Sequence, residues 1–129
     1  MRQPIDIETL LEWAFRLQKV ESRENPPQDA ETLQFAVMAL PDPYCDIVRH
    51  HARIGRPPEW RSDPDARIVQ LAAVRHWRER YCQWHQALVV LRHSVNGSLV
   101  RYALTGPTAP AEPWKDKARS GSEHRIRAF

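Results

Sequence analysis

Arginine is the residue type in this chain best suited to chemistry: there are sixteen, against three lysines. The planar guanidinium favours bidentate contact with phosphates and carboxylates. Arg49, Arg53, Arg56, Arg61 and Arg67 cluster in the middle of the sequence, with His50 among them. Read as a helix, a turn and the start of a second helix, this stretch could place cations on a phosphate backbone from both a helix end and a loop. The spacing departs from a true helix-turn-helix. Ile54 to Asp63 is longer than the usual three- or four-residue turn and is stiffened by Pro57 and Pro58. A second basic band, Arg75, Arg78 and Arg80, interleaves with Trp77, Tyr81 and Trp84. Such mixtures stack on single-stranded bases in some proteins. At helical spacing, however, these three aromatics share one face and the arginines lie elsewhere, so the aromatics read as core or interface.

Other chemistries find less support. Cys82 and His85 are one helical turn apart, and Cys45 with His50 or His51 could complete four ligands, but no paired metal-binding spacing is present. Both cysteines read equally well as small buried hydrophobes. There is no serine elbow, phosphate-cradling glycine loop or close carboxylate pair, and the chain has only four glycines. A non-enzymatic protein without a cofactor is expected.

The elements that would position these residues are helical. Asp6 reads as the N-cap of a first helix over about Ile7 to Val20, with Ile7, Leu10, Leu11, Ala14, Phe15 and Leu17 inward. Asp29 reads as the cap of a second helix, with Leu33, Val37 and Leu40 inward, ended by Pro41. Asp42 and Pro43 open a third, which Gly55 stops; Tyr44, Ile47, Val48, His51 and Ile54 form its inward face. Asp63 and Pro64 signal a long fourth helix reaching Val95. Val74, Trp77, Tyr81, Trp84, Leu88, Leu91 and Val95 recur along it at alternating spacings of three and four. A 32-residue helix would be about 48 Å long, more than a compact domain of this size spans. It must bend, or project and be covered by a second chain. Residues 98 to 104 fit either a short strand or another helical turn.

The expected fold is therefore all-α, with about four helices in a domain over residues 1–105. An extended tail over 106–129, Pro-rich and basic, is expected to be disordered or to dock through Trp114. The net charge of +3 conceals a polarity: residues 1–46 sum to −5, residues 47–105 to +6 and the rest to +2. That distribution suits an acidic partner or head-to-tail self-association. Two cysteines and the absence of a membrane-length apolar run or a leader-like N-terminus suggest a reduced, soluble, cytoplasmic protein.

Ala39-Leu40-Pro41 leading into a helix, His51 through Trp60, and Tyr102 through Pro107 with Pro113-Trp114 together resemble small helical proteins encoded in bacterial prophages. The Leu-Pro, helix, Gly order is also loosely similar to the promoter-binding region of phage antitermination and sigma-type proteins, departing from it after Gly55. The resemblance implies an accessory or regulatory protein that contacts DNA or a nucleic-acid-bound complex. Arg49, Arg53, Arg56, Arg61 and Arg67 are the expected contacts on their chemistry alone. The alternative is a protein-interaction module, an inhibitor or assembly adaptor, that grips a partner or a second copy through Trp77, Tyr81, Trp84, Leu88 and Trp114.

Overall fold

The computed structural model describes residues 2–60 and 71–115. The order of elements is β1 (Gln3–Asp6), α1 (Ile7–Glu12) running straight into a π-helical turn (Trp13–Leu17), α2 (Gln28–Met38), α3 (Tyr44–Ile54), α4 (Leu71–Val95) and β2 (Tyr102–Thr105). The chain is mostly helical, but it is not all-α. The two ends of the described region pair as a parallel two-stranded sheet, with Gln3 opposite Tyr102 and Asp6 opposite Thr105. Parallel strands require a long crossover, and here the helices supply it. Pro4 occupies an edge strand, where a missing N–H is tolerated. The Leu104 N–H donates to Asn96 Oδ1 at 2.8 Å, so the end of α4 covers part of the β2 edge.

Asp6 has the extended backbone of an N-cap, and its Oδ1 accepts the Glu8 N–H at 2.9 Å. From there Ile7, Leu10, Leu11, Ala14 and Phe15 enter the core. The helix then widens: the Gln18 N–H donates to the Trp13 carbonyl and the Val20 N–H to that of Ala14. A π turn advances each residue by less than an α turn does, so the inward stripe slips. Leu17, expected inside, is 63% exposed, and Val20 is buried instead.

Neither Asp29 nor Asp42 occupies the cap position expected of it. Pro27 occupies the N-cap of α2 and Pro43 that of α3, neither with a side-chain cap. Asp29 lies within the first turn of α2, buried, and its carboxylate crosses the molecule: Oδ1 accepts the Val100 N–H at 2.7 Å and Oδ2 the Arg101 N–H at 2.9 Å. It ties α2 to the approach to β2. The end of α3 matches its sequence signal, because Gly55 adopts φ 70° and donates its N–H to the His51 carbonyl. Ile54, at that frayed end, is 40% exposed, while Cys45 and Ala52 take inward positions beside Ile47, Val48 and His51.

α4 lies against α1, α2 and α3. Tyr81, Trp84, Ala87, Leu88, Leu91 and Val95 are all buried, so the three-and-four spacing did mark a real face. From Tyr81 to Val95 the face is filled by this chain's own helices. The apolar run from Ala87 to Leu91 is not buried all round, since Val90 is 52% exposed. The described helix of 25 residues is about 38 Å long. The expected start at Pro64 lies outside the described residues.

The segment after β2 is held against the body, and its last described residues, 113–115, are helical. Arg92 donates to the Gly106 carbonyl at 3.0 Å, and Thr108 donates from its N–H and hydroxyl to Asp6 Oδ2 at 2.8 and 2.5 Å. His85 Nε2 lies 2.8 Å from the Ala109 carbonyl and therefore carries the proton it donates; the Tyr81 hydroxyl donates to the Pro110 carbonyl at 2.8 Å. The remainder of the expected tail, 116–129, lies outside the described residues. No helix among the described residues is long and apolar enough to cross a membrane.

Candidate nucleic-acid interface

The five arginines picked from sequence are not equivalent. Arg49 and Arg53 lie one turn apart on α3, and both converge on Glu21 from the link between the π turn and α2. Arg49 donates to Glu21 Oε2 through Nε at 3.0 Å and a terminal nitrogen at 2.9 Å. Arg53 donates to both carboxylate oxygens at 2.6 Å in the parallel bidentate arrangement. The Arg53 hydrogen bonds lead in holding the Glu21 carboxyl below its usual range, against the opposing effect of its burial. One carboxylate thus neutralises much of two expected phosphate contacts. Glu21 was not singled out from the sequence, because its partners are remote along the chain and no local spacing links them.

Arg56 is exposed and has no carboxylate partner among the described residues. Arg61 and Arg67 lie outside the described residues. On α4, Arg75, His76 and Arg78 are exposed and Arg80 is partly buried. Arg75 and Glu79, spaced as an i,i+4 pair, form no ion pair with each other. The guanidinium of Arg78 lies 5.2 Å from the ring centre of Trp114, a cation–π distance. Arg80 and Arg56 both adjoin His51, which joins the end of α3 to the basic half of α4: the charge of Arg80 acts on the His51 ring, and the Arg56 carbonyl lies 3.1 Å from its Nδ1.

His51 is 9% exposed, and its Nε2 is buried with no hydrogen-bond partner among the described residues. Burial, then the neighbouring His50 and Arg80, lower its pKa to about 4, so the ring is neutral at pH 7. The carbonyl at Nδ1 fixes the tautomer, with the proton on Nδ1 and the lone pair on Nε2. The ring lines a cavity of about 20 Å³ with Glu8, Glu12 and Trp84, on the scale of a single water. Burial, then Asp6 and Glu12, raise the Glu8 pKa.

The five residues expected to grip a partner divide similarly. Tyr81, Trp84 and Leu88 are core. Trp77 is partly buried. Trp114 packs on Trp60 and Tyr81, with ring centres 6.0 and 6.1 Å away, and is a contact made within the chain. Burial pushes the Tyr81 hydroxyl up to about 12 and also raises the Cys82 thiol, which therefore has little thiolate at neutral pH. Among the described residues no group of three or more His, Cys, Asp or Glu side chains could hold a metal ion.

Fold and site together define a small, mostly helical chain clasped by a parallel strand pair, with exposed arginines just after α3 and on α4. The chain matches no protein-family model, no curated protein and no solved structure.

Proposed function

We propose that the protein is an accessory or regulatory protein of phage type that contacts nucleic acid, or a complex bound to it, through the exposed arginines Arg56, Arg75 and Arg78. The observation that carries this reading is the different fate of the two arginine groups. Arg49 and Arg53 are tied to Glu21, whereas Arg56, Arg75 and Arg78 are exposed without a carboxylate partner among the described residues. Exposed guanidiniums without a carboxylate partner release counterions when they meet phosphates, and the resulting affinity falls steeply with salt. Fluorescence anisotropy with a mixed-sequence duplex at several salt concentrations tests it. Arg75→Glu with Arg78→Glu should reduce low-salt affinity at least tenfold and flatten the salt dependence. Arg49→Ala should leave affinity nearly unchanged. Equal binding by wild type and the double variant would overturn the assignment.

A second reading, a protein-interaction module, is supported by a different surface from the one first expected. Phe35 and Met38, three residues apart on α2, are 68% and 53% exposed. Neighbours at this spacing share a helix face, and exposed aromatic and Met side chains suit an apolar interface. The expected partner is a second copy. Sedimentation of wild type against Phe35→Ser with Met38→Ser tests it: a concentration-dependent mass lost in the variant supports α2, and a monomer throughout removes self-association.

A further inference from the structure

The π-helical turn, the beginning of α2 and the approach to β2 border an open groove of about 510 Å³, within the range of small-molecule sites. One wall is aromatic. Trp13 and Tyr102 meet edge to face, with ring centres 5.7 Å apart and planes at 65°, and both remain partly exposed. Val100, 57% exposed, extends the apolar surface. The groove is lined by one carboxylate, Asp29, and one guanidinium, Arg101. Asp29 lines it, but both its oxygens are occupied by the Val100 and Arg101 backbone N–H groups. Arg101 also lines it, and its exposed side chain has no carboxylate partner among the described residues. Gln18 lines it as well; its Oε1 accepts from Arg23, which leaves the amide nitrogen as a donor.

An aromatic wall, amide donors and the Arg101 guanidinium match a planar ring that carries an anion. We infer that this groove binds a nucleotide, with the base against Trp13 and Tyr102 and the phosphate on Arg101. Bases stack on aromatic side chains irrespective of sequence, and guanidiniums pair with phosphate oxygens through two parallel hydrogen bonds. Gln18 and Gln28 supply donors and acceptors for the base edge. The nucleotide can be free or the end of a single strand; the recognised chemistry is the same. The site is separate from the exposed arginines of α4 and does not depend on them.

Isothermal titration of the full chain with adenosine monophosphate, adenosine, ribose 5-phosphate, inorganic phosphate and a short oligoadenylate tests the inference. Adenosine monophosphate should bind at least tenfold more tightly than adenosine, ribose 5-phosphate or phosphate. Arg101→Ala should weaken it about tenfold with an unchanged melting temperature, and Trp13→Leu should weaken adenosine and adenosine monophosphate alike in protein that remains folded. A tighter oligoadenylate assigns the strand as the natural source; an equal one assigns the free nucleotide. No heat at millimolar adenosine monophosphate, affinity no better than that of phosphate, or an unaffected Arg101→Ala would each overturn the site. Arg75→Glu with Arg78→Glu should leave adenosine monophosphate binding intact, so failure of the duplex reading and failure of the groove are distinguishable.

Discussion

Glu21 decides what the arginines of α3 are able to do. Its carboxylate accepts from Arg49 and Arg53 at 2.6 to 3.0 Å and is only 20% exposed, whereas Arg53 remains 47% exposed. Partial solvation keeps the stability of such a pair low, so Glu21→Gln should cost about 1 kcal/mol in urea denaturation. The same variant releases two guanidiniums and should tighten low-salt duplex binding; unchanged binding would mean that α3 lies away from the nucleic acid. His51 sets a pH dependence. Its folded pKa of about 4 lies below the model-peptide value of 6.5, so between those values the unfolded chain holds a proton that the folded chain excludes. Stability contributed by the neutral ring is complete above pH 6.5 and is lost as pH falls towards 4, by at most about 3 kcal/mol. Urea melts across that range should show a steeper decline for wild type than for His51→Leu.

At the scale of elements, α4 shows how far periodicity reaches. The spacing of Tyr81, Trp84, Leu88, Leu91 and Val95 located a buried face, but a buried face is silent about which chain buries it. Because the cover is internal, Trp84→Ala should destabilise the fold by about 3–5 kcal/mol, the usual cost of emptying a large aromatic site. Sedimentation should show no change in mass for the protein that still folds. A loss of dimer with unchanged stability would return the seam to a partner. α1 marks the opposite limit. Its inward residues follow the α period as far as Phe15, after which the π turn moves Leu17 outward. No proline or glycine within Trp13 to Leu17 announces the change.

Across the whole molecule, one carboxylate reinforces the pairing of β1 with β2. Asp6 caps α1 with Oδ1, accepts from Thr108 with Oδ2 and stands opposite Thr105 in the sheet. Gly106 is the residue that allows this. It has φ 78°, and a Cβ there would fall inside the Asp6 carboxylate and within 2.8 Å of the Thr108 nitrogen. Gly106→Ala should therefore lower stability by at least about 1 kcal/mol, read as a fall in melting temperature. Hydrogen exchange should quicken most at Thr108 and along β2. Uniform quickening would instead indicate that the clasp and the core open together.

The sequence by itself determined the helical character of most of the described chain, the Asp6 cap, the Gly55 stop and the buried stripe of α4. These are local signals, carried by neighbours within a turn or two through backbone conformation and side-chain spacing. It also marked the middle of the chain as basic. Only the tertiary structure decided which of those charges remain free, because Glu21 meets Arg49 and Arg53 through space with no sequence period to link them. The same holds for Asp29, whose place near a helix start resembled a cap until the Val100 and Arg101 N–H groups arrived from the far end of the fold. The parallel strand pair belongs there too. Four residues at either end carry too little alternation to declare themselves, and they become strands because the packed helices return one end of the chain to the other.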